Sequence, residues 1–329
     1  MVEIHKKVLS RVQFNNDFFL NDKPVILKNS IDINYLKPSP TDWLRQLIGH
    51  KMIKLIYSKK GYYNFADKKN FIQKTMLFSK ALSKFRSEEG KSYYLLQSSI
   101  PDNYPEINKK LLLPYHLLQS DIVNYKNLWV GGKGCVSPLH YDFSSNFLMQ
   151  IEGRKKLTLF SPNNSQFLYP SKNKGEEHLS LLDIKNVNLL QFPLFKNANA
   201  FNCILNPGDV LYIPPGWWHQ VESLDFCISI NIWFERFDIV KDEMIDFSVE
   251  EVVEELTYFI KMGWDINGKD CDGEYFIFKA IRLDLENVIK AFIKLNVNIE
   301  LKSLIYSPGL SAYQYYKKIN GYPIERIIQ

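Results

Sequence analysis

The stretch Val136-Ser-Pro-Leu-His-Tyr-Asp-Phe-Ser-Ser-Asn-Phe-Leu-Met-Gln-Ile-Glu-Gly-Arg-Lys155 decides how this chain is to be read. Its residues favour strands, and on a strand positions i and i+2 project from one face, so the His140 imidazole and the Asp142 carboxylate converge. Beyond them, 146–151 alternate, Glu152-Gly153 predicts a hairpin turn, and 155–160 alternate again. That register sets Lys155 beside the pair, inside an otherwise apolar barrel where an unpaired ammonium is costly. A dicarboxylate ligand would supply its partner.

A third donor comes much later, in Gly208-Asp-Val-Leu-Tyr-Ile-Pro-Pro-Gly-Trp-Trp-His219-Gln-Val-Glu, read as a strand, a Pro-Gly turn and a second strand ending in a histidine. Two histidines and one carboxylate occupy three positions of an octahedron and leave the rest open, the donor set of non-haem Fe(II) oxygenases. In a chain with six histidines, a His-x-Asp pair alone carries little weight. The alternating strands and Lys155 give it meaning.

His140-Tyr-Asp142, Asn146-Phe147, Gln150-Ile151, Gly153, Lys155, Leu159-Phe-Ser-Pro162, Leu168-Tyr-Pro170 and Gly208-Asp-Val-Leu-Tyr-Ile-Pro214 through Trp218-His219 together resemble the Jumonji-C family. The likeness covers residues 10–237. It is strongest to the small cupin-type protein hydroxylases, the group of the asparaginyl hydroxylase that inhibits hypoxia-inducible factor. The resemblance implies a mainly β fold with flanking helices, a double-stranded β-helix or jelly roll. It implies Fe(II) held by His140, Asp142 and His219, with 2-oxoglutarate and dioxygen as co-substrates. Lys155 would meet the far carboxylate of 2-oxoglutarate, Ser137 and Tyr94 would add hydroxyls, and Asn146 and Asn231 would line the same pocket. The implied reaction is hydroxylation of a protein side chain (Asn, Asp, Arg, Lys or His), releasing succinate and CO2. Alternatives within the family are hydroxylation of a tRNA base and demethylation of N-methyl-lysine or arginine. Outside it stands a non-catalytic cupin and ankyrin interaction protein, which would need a broken site.

With 329 residues, 46% of them hydrophobic and 14% aromatic, the chain can fill one large barrel and a small second domain. The net charge of +5 is modest and interleaved, which argues against a nucleic-acid protein, although the Lys-containing loop after Tyr169 keeps RNA open as a partner. Cys135, Cys203, Cys227 and Cys271 have no paired or metal-finger spacing, so reduced thiols in an intracellular, cytoplasmic protein are expected. No apolar run approaches a membrane span.

In chain order, 1–127 read as mixed helix and strand, with strands near 25–27, 52–57 and 92–97, and helices over 41–48 and 70–85. Residues 128–237 form the core barrel, and the oxygenase domain runs over 1–240. His50 and His116 read as ordinary lone histidines. The polar insertion from 170 to 178, with a solvated His178, is where substrate specificity would be read. Trp217 shares a face with His219, and Trp218 would pack between the sheets. Residues 246–329 differ in kind: Phe259-Ile-Lys-Met-Gly-Trp-Asp-Ile-Asn267 and Phe292-Ile-Lys-Leu-Asn-Val-Asn-Ile-Glu300 repeat at an interval of 33, the length of an ankyrin repeat. Gly273 and Ala280 keep part of that motif, and Gly309-Leu-Ser-Ala-Tyr-Gln-Tyr-Tyr316 looks like a third copy. So short a small helical ankyrin-like domain should dock on the barrel, a second subunit or a partner protein. Asn267 occupies the turn position that the asparaginyl hydroxylase modifies in such repeats, so the tail itself is a candidate substrate.

Overall fold

Period-2 alternation builds the barrel. The computed structural model describes residues 3–5, 9, 11–19, 21–63, 71–111, 125–234, 248–261, 265–269 and 274–328, so His116, Cys271 and Gly273 lie outside the described residues. The strands are β1 (Glu3–His5), β2 (Val25–Leu27), β3 (Met52–Tyr57), β4 (Ile72–Leu77), β5 (Tyr93–Ser99), β6 (Tyr125–Gly131) and β7 (Val136–His140), followed by β8 (Ser145–Glu152), β9 (Lys155–Phe160), β10 (Phe201–Leu205), β11 (Val210–Ile213), β12 (Trp218–Ser223) and β13 (Cys227–Phe234). They form a nine-stranded sheet, β1-β2-β11-β8-β13-β6-β5-β3-β4, and a four-stranded sheet, β10-β9-β12-β7. This is a mainly β fold with flanking helices, as the jelly-roll reading requires.

On β8, Phe147, Met149 and Ile151 join the core beneath the N-terminal helices, whereas Leu148 points the other way, into the cluster between the sheets. β11 divides likewise, with Val210 and Tyr212 outward and Leu211 and Ile213 inward. On β13, Ile228, Ile230, Ile232 and Phe234 pack under the helices. The opposite face therefore carries Ser229, Asn231 and Trp233 into the barrel. The helices supplying the outer layer include Pro40–Ile48, started by Ser39, whose hydroxyl accepts the Asp42 N–H, and Phe78–Phe85.

Three expectations change. Residues 72–77 form β4 rather than the first half of a helix, and only Phe78–Phe85 is helical. Pairing with β3 overrides the helical pattern there. Glu152-Gly153 is not a hairpin turn, because β8 pairs with β11 and β13 while β9 pairs with β10 and β12, so the chain crosses from one sheet to the other. Gly153 has φ +73°, and a Cβ there would meet the Phe226 carbonyl oxygen at 2.0 Å, which explains why glycine sits at the crossing. Finally, Trp217 packs between the sheets with Leu157 and Leu211. Trp218 faces outward against Leu139, Phe160 and Leu168, under the insertion.

The tail is helical: Val249–Lys261, Phe276–Arg282, Glu286–Lys294, Ala312–Asn320 and Glu325–Ile328 share one apolar core. Asp265 and Asn298, 33 positions apart, each accept the N–H of the residue two further on. Asn267 Oδ1 takes the Asn298 N–H at 2.7 Å, tying one unit to the next. Glu274 is fully buried and accepts from the Ser303 hydroxyl and the backbone N–H groups of Leu304, Ile305 and Tyr306. No helix among the described residues is long and apolar enough to cross a membrane.

Candidate metal centre

β7 and β12 are neighbours in the four-stranded sheet, and His140 stands directly across from His219. The two rings lie 4.3 Å apart between centroids. His140 ends β7 and His219 is the second residue of β12, near its start rather than its end. Asp142 follows β7, and its carboxylate oxygens lie 3.9 Å from His140 Nε2 and 3.8 Å from His219 Nε2. One donor atom from each of the three lies within 4.8 Å of the others.

Local geometry sets the tautomers. His140 Nδ1 lies 2.7 Å from the Pro138 carbonyl and His219 Nδ1 lies 2.9 Å from the Trp217 carbonyl. A carbonyl only accepts, so each neutral ring carries its proton on Nδ1 and offers the Nε2 lone pair toward Asp142. Burial, reinforced by the neighbouring His219, pushes the His140 pKa down to about 4, so this imidazole is neutral at physiological pH. Such backbone acceptors behind a histidine are what metal ligands use to fix their orientation.

Behind the triad lies a pocket lined by Tyr94, Ser137, Asn146, Lys155 and Asn231 together with His140, Asp142 and His219. All eight residues named from sequence thus come together in one cavity. Lys155 is 2% exposed, and its ammonium donates to Ser229 Oγ at 2.6 Å. Among the described residues no carboxylate pairs with it. Burial holds its pKa below the usual lysine range. A buried cation with spare donors, beside hydroxyls at Ser137 and Tyr94, fits the far carboxylate of 2-oxoglutarate. The His-His-Asp set in turn fits Fe(II).

Sequence reasoning missed several neighbours. Ser229 and Trp233 flank Asn231 on the inward face of β13, and the i±2 rule would have found both. His178, expected in solvent, is instead half-buried at the mouth of the barrel. Its carbonyl accepts the Tyr141 N–H, its ring lies 5.5 Å from that of Phe143, and its buried Nδ1 has no hydrogen-bond partner among the described residues. The mouth, a cavity of about 410 Å³, is walled by Trp129, Tyr141, Phe143, His178 and Trp233, its carboxylates are Asp142 and Glu176, and burial holds the His178 pKa below the usual histidine range. Lone His50 is exposed, as expected.

This fold and donor set define a class, and the chain belongs to the cupin-like domain family, whose model matches residues 11–239. Among curated proteins it is similar to JmjC domain-containing protein D of Dictyostelium discoideum, 33% identical over 241 residues, which are 66% of this chain and 53% of that protein. It is also similar to Lysine-specific demethylase 8 of Danio rerio, 32% identical over 70% of this chain and 57% of the relative. A third likeness is to tRNA wybutosine-synthesizing protein 5 of Mus musculus, 29% identical over 69% of this chain and 76% of the relative. The chain spans about half the length of the first two. Members of this JmjC group use Fe(II) and 2-oxoglutarate, and the His140, Asp142, His219 cluster provides the matching metal donors.

Proposed function

We propose that this chain is an Fe(II)- and 2-oxoglutarate-dependent oxygenase that removes N-methyl groups from lysine or arginine side chains of a protein. The observation that carries the choice of substrate is the mouth: aromatic walls, the Glu176 carboxylate beyond the metal ligand Asp142, and no lysine or arginine among the described lining residues. Aromatic faces with a nearby anion attract methylated ammonium and guanidinium groups. An RNA backbone would instead ask for cations around the opening. The name of the zebrafish relative points the same way. The name of the murine relative keeps a modified tRNA base as the second reading.

In this reading His140, Asp142 and His219 hold the metal. Lys155 takes the far carboxylate of 2-oxoglutarate with the Ser137 and Tyr94 hydroxyls, and Asn146 and Asn231 line the pocket. When bound, the metal with its two co-substrates supplies oxidation of a C–H bond, and 2-oxoglutarate leaves as succinate and CO2. The protein's part is to aim that carbon and exclude water. An oxidised N-methyl carbon departs as formaldehyde. An oxidised side-chain carbon keeps its oxygen, which is the protein-hydroxylase outcome expected from sequence. The helical tail we read as ankyrin-like, a surface for protein partners, because its Asx turns recur at the ankyrin interval.

The test is mass spectrometry of N-methylated lysine and arginine peptides, and of tRNA, after incubation with Fe(II), 2-oxoglutarate and oxygen. Loss of methyl groups with formaldehyde release supports the proposal. A retained oxygen on peptide would move the assignment to hydroxylation, and modification of tRNA alone would replace it with the second reading.

A further inference from the structure

Asp142 lies past the end of β7, where no strand ladder fixes it. Its backbone carbonyl takes the Gly216 N–H at 2.9 Å, and its side chain is held from elsewhere. The Trp233 indole N–H donates to Asp142 Oδ2 at 3.0 Å, and the Asn146 amide donates to the same oxygen at 3.0 Å. The convergence has a cause in the sheet, since Trp233 and Asn146 are cross-strand partners on β13 and β8. Behind them the Asn231 amide reaches Asn146 Oδ1 at 3.4 Å and accepts the Trp129 indole N–H at 2.8 Å. Two donors fill the two lone pairs of Oδ2, leaving Oδ1 as the oxygen with lone pairs to give. Trp233 also walls the mouth, so substrate and metal carboxylate share one side chain.

We infer that Trp233 is a positioning residue of the metal site: its indole N–H, together with the Asn146 amide, pins Asp142 so that the carboxylate meets the metal through Oδ1 alone. This rests on the reading that His140, Asp142 and His219 bind Fe(II). A single-oxygen carboxylate keeps the remaining positions open for 2-oxoglutarate and dioxygen. Without the indole donor, Oδ2 regains a lone pair and the carboxylate can swing or chelate.

The test is Co(II) binding, followed by titration and by visible absorption, in wild type, Trp233→Phe and Trp129→Phe. Trp233→Phe keeps an aromatic wall and removes the donor, so its Co(II) affinity should fall by about 10- to 100-fold, with a changed ligand-field spectrum. Trp129→Phe, two bonds further from the carboxylate, should change affinity far less. Wild-type affinity and spectrum in Trp233→Phe would overturn the inference, as would equal losses in both variants. On the unmutated protein, 15N spectra of the six indole N–H groups give an independent reading. Zn(II) should shift one indole resonance well beyond the others, and a titration that moves none would again overturn it. A wild-type protein that binds neither metal would take down the metal reading itself, and this inference with it.

Discussion

Replacing Lys155 with methionine separates stability from function. The ammonium is 2% exposed and donates to Ser229 Oγ, with no carboxylate partner among the described residues. Exchanging a buried charge for an apolar side chain of similar volume is neutral to stabilising, by about 1–4 kcal/mol. Ser229 loses a partner, which costs about 1 kcal/mol. The net is a gain of roughly 0–3 kcal/mol, and at about 2–4 °C per kcal/mol for a chain of this size the Tm should hold or rise by several degrees. Binding of 2-oxoglutarate goes the other way. Its far carboxylate loses a buried charge partner at a cost of about 3–5 kcal/mol, which is about two to three and a half powers of ten in Kd. Thermal unfolding of the metal-free protein and calorimetric titration of 2-oxoglutarate into the Zn(II)-loaded protein measure the two effects. A Tm that falls sharply while 2-oxoglutarate binding hardly changes would refute the reasoning and make Lys155 structural. The pH dependence follows from the same burial. Because the folded pKa of Lys155 is lowered, the unfolded chain binds more protons between the two values, so stability rises with pH there. The penalty is fully present below the folded pKa and gone above the unfolded one, near 10.4. Lys155→Met should remove this alkaline gain.

Other predictions concern separate parts of the chain. Glu274→Ala strips a buried acceptor from Ser303 and three backbone N–H groups and should destabilise the tail by roughly 3–5 kcal/mol, read by urea unfolding followed by far-UV circular dichroism. Burial pushes the Glu274 pKa up, but the Ser303 hydroxyl and the backbone donors outweigh it and leave the pKa lowered. Its stabilisation is therefore present at neutral pH and lost as the pH falls through the folded pKa, so the tail should melt at a lower temperature in acid, and less steeply so in Glu274→Gln. Gly153→Ala should unfold the barrel or cost several kcal/mol, because its Cβ would strike the Phe226 carbonyl at a left-handed φ. Phe143 is 64% exposed at the mouth, so Phe143→Ala should leave the Tm unchanged while raising KM for a methylated peptide, and an unchanged KM would remove Phe143 from the substrate site.

Legibility followed the physics of each region. Alternation exposed β8, β11 and β13, because each buries one face under helices and turns the other into the barrel, and β9, because Leu157 and Leu159 point into the barrel while Lys156 and Thr158 face outward. Spacing alone brought His140, Asp142 and Lys155 into one neighbourhood, and the cavity also gathers Tyr94, Ser137, Asn146, Asn231 and His219. What spacing could not supply is sheet membership. A glycine turn looks the same whether it closes a hairpin or carries the chain between sheets, so the crossing at Gly153 reads as a hairpin in the sequence. The same gap misplaced Trp218, since an outward strand face becomes buried when an insertion folds over it. His178 reads as solvated for its polar neighbours, yet it packs at the mouth because Leu179 bridges to His140 and draws the loop inward. β4 mimics a helix because its apolar residues fit both periods over so short a run.

The central claim is that the triad and Lys155 form a working iron and 2-oxoglutarate site, and the most direct measurement is succinate formation from 2-oxoglutarate, with 2-oxoglutarate binding measured on the same protein. Protein loaded with Fe(II) without oxygen, then exposed to it, should form succinate in an iron-dependent way, and Asp142→Ala should form none. Absence of both succinate and 2-oxoglutarate binding in the wild-type protein would contradict the account.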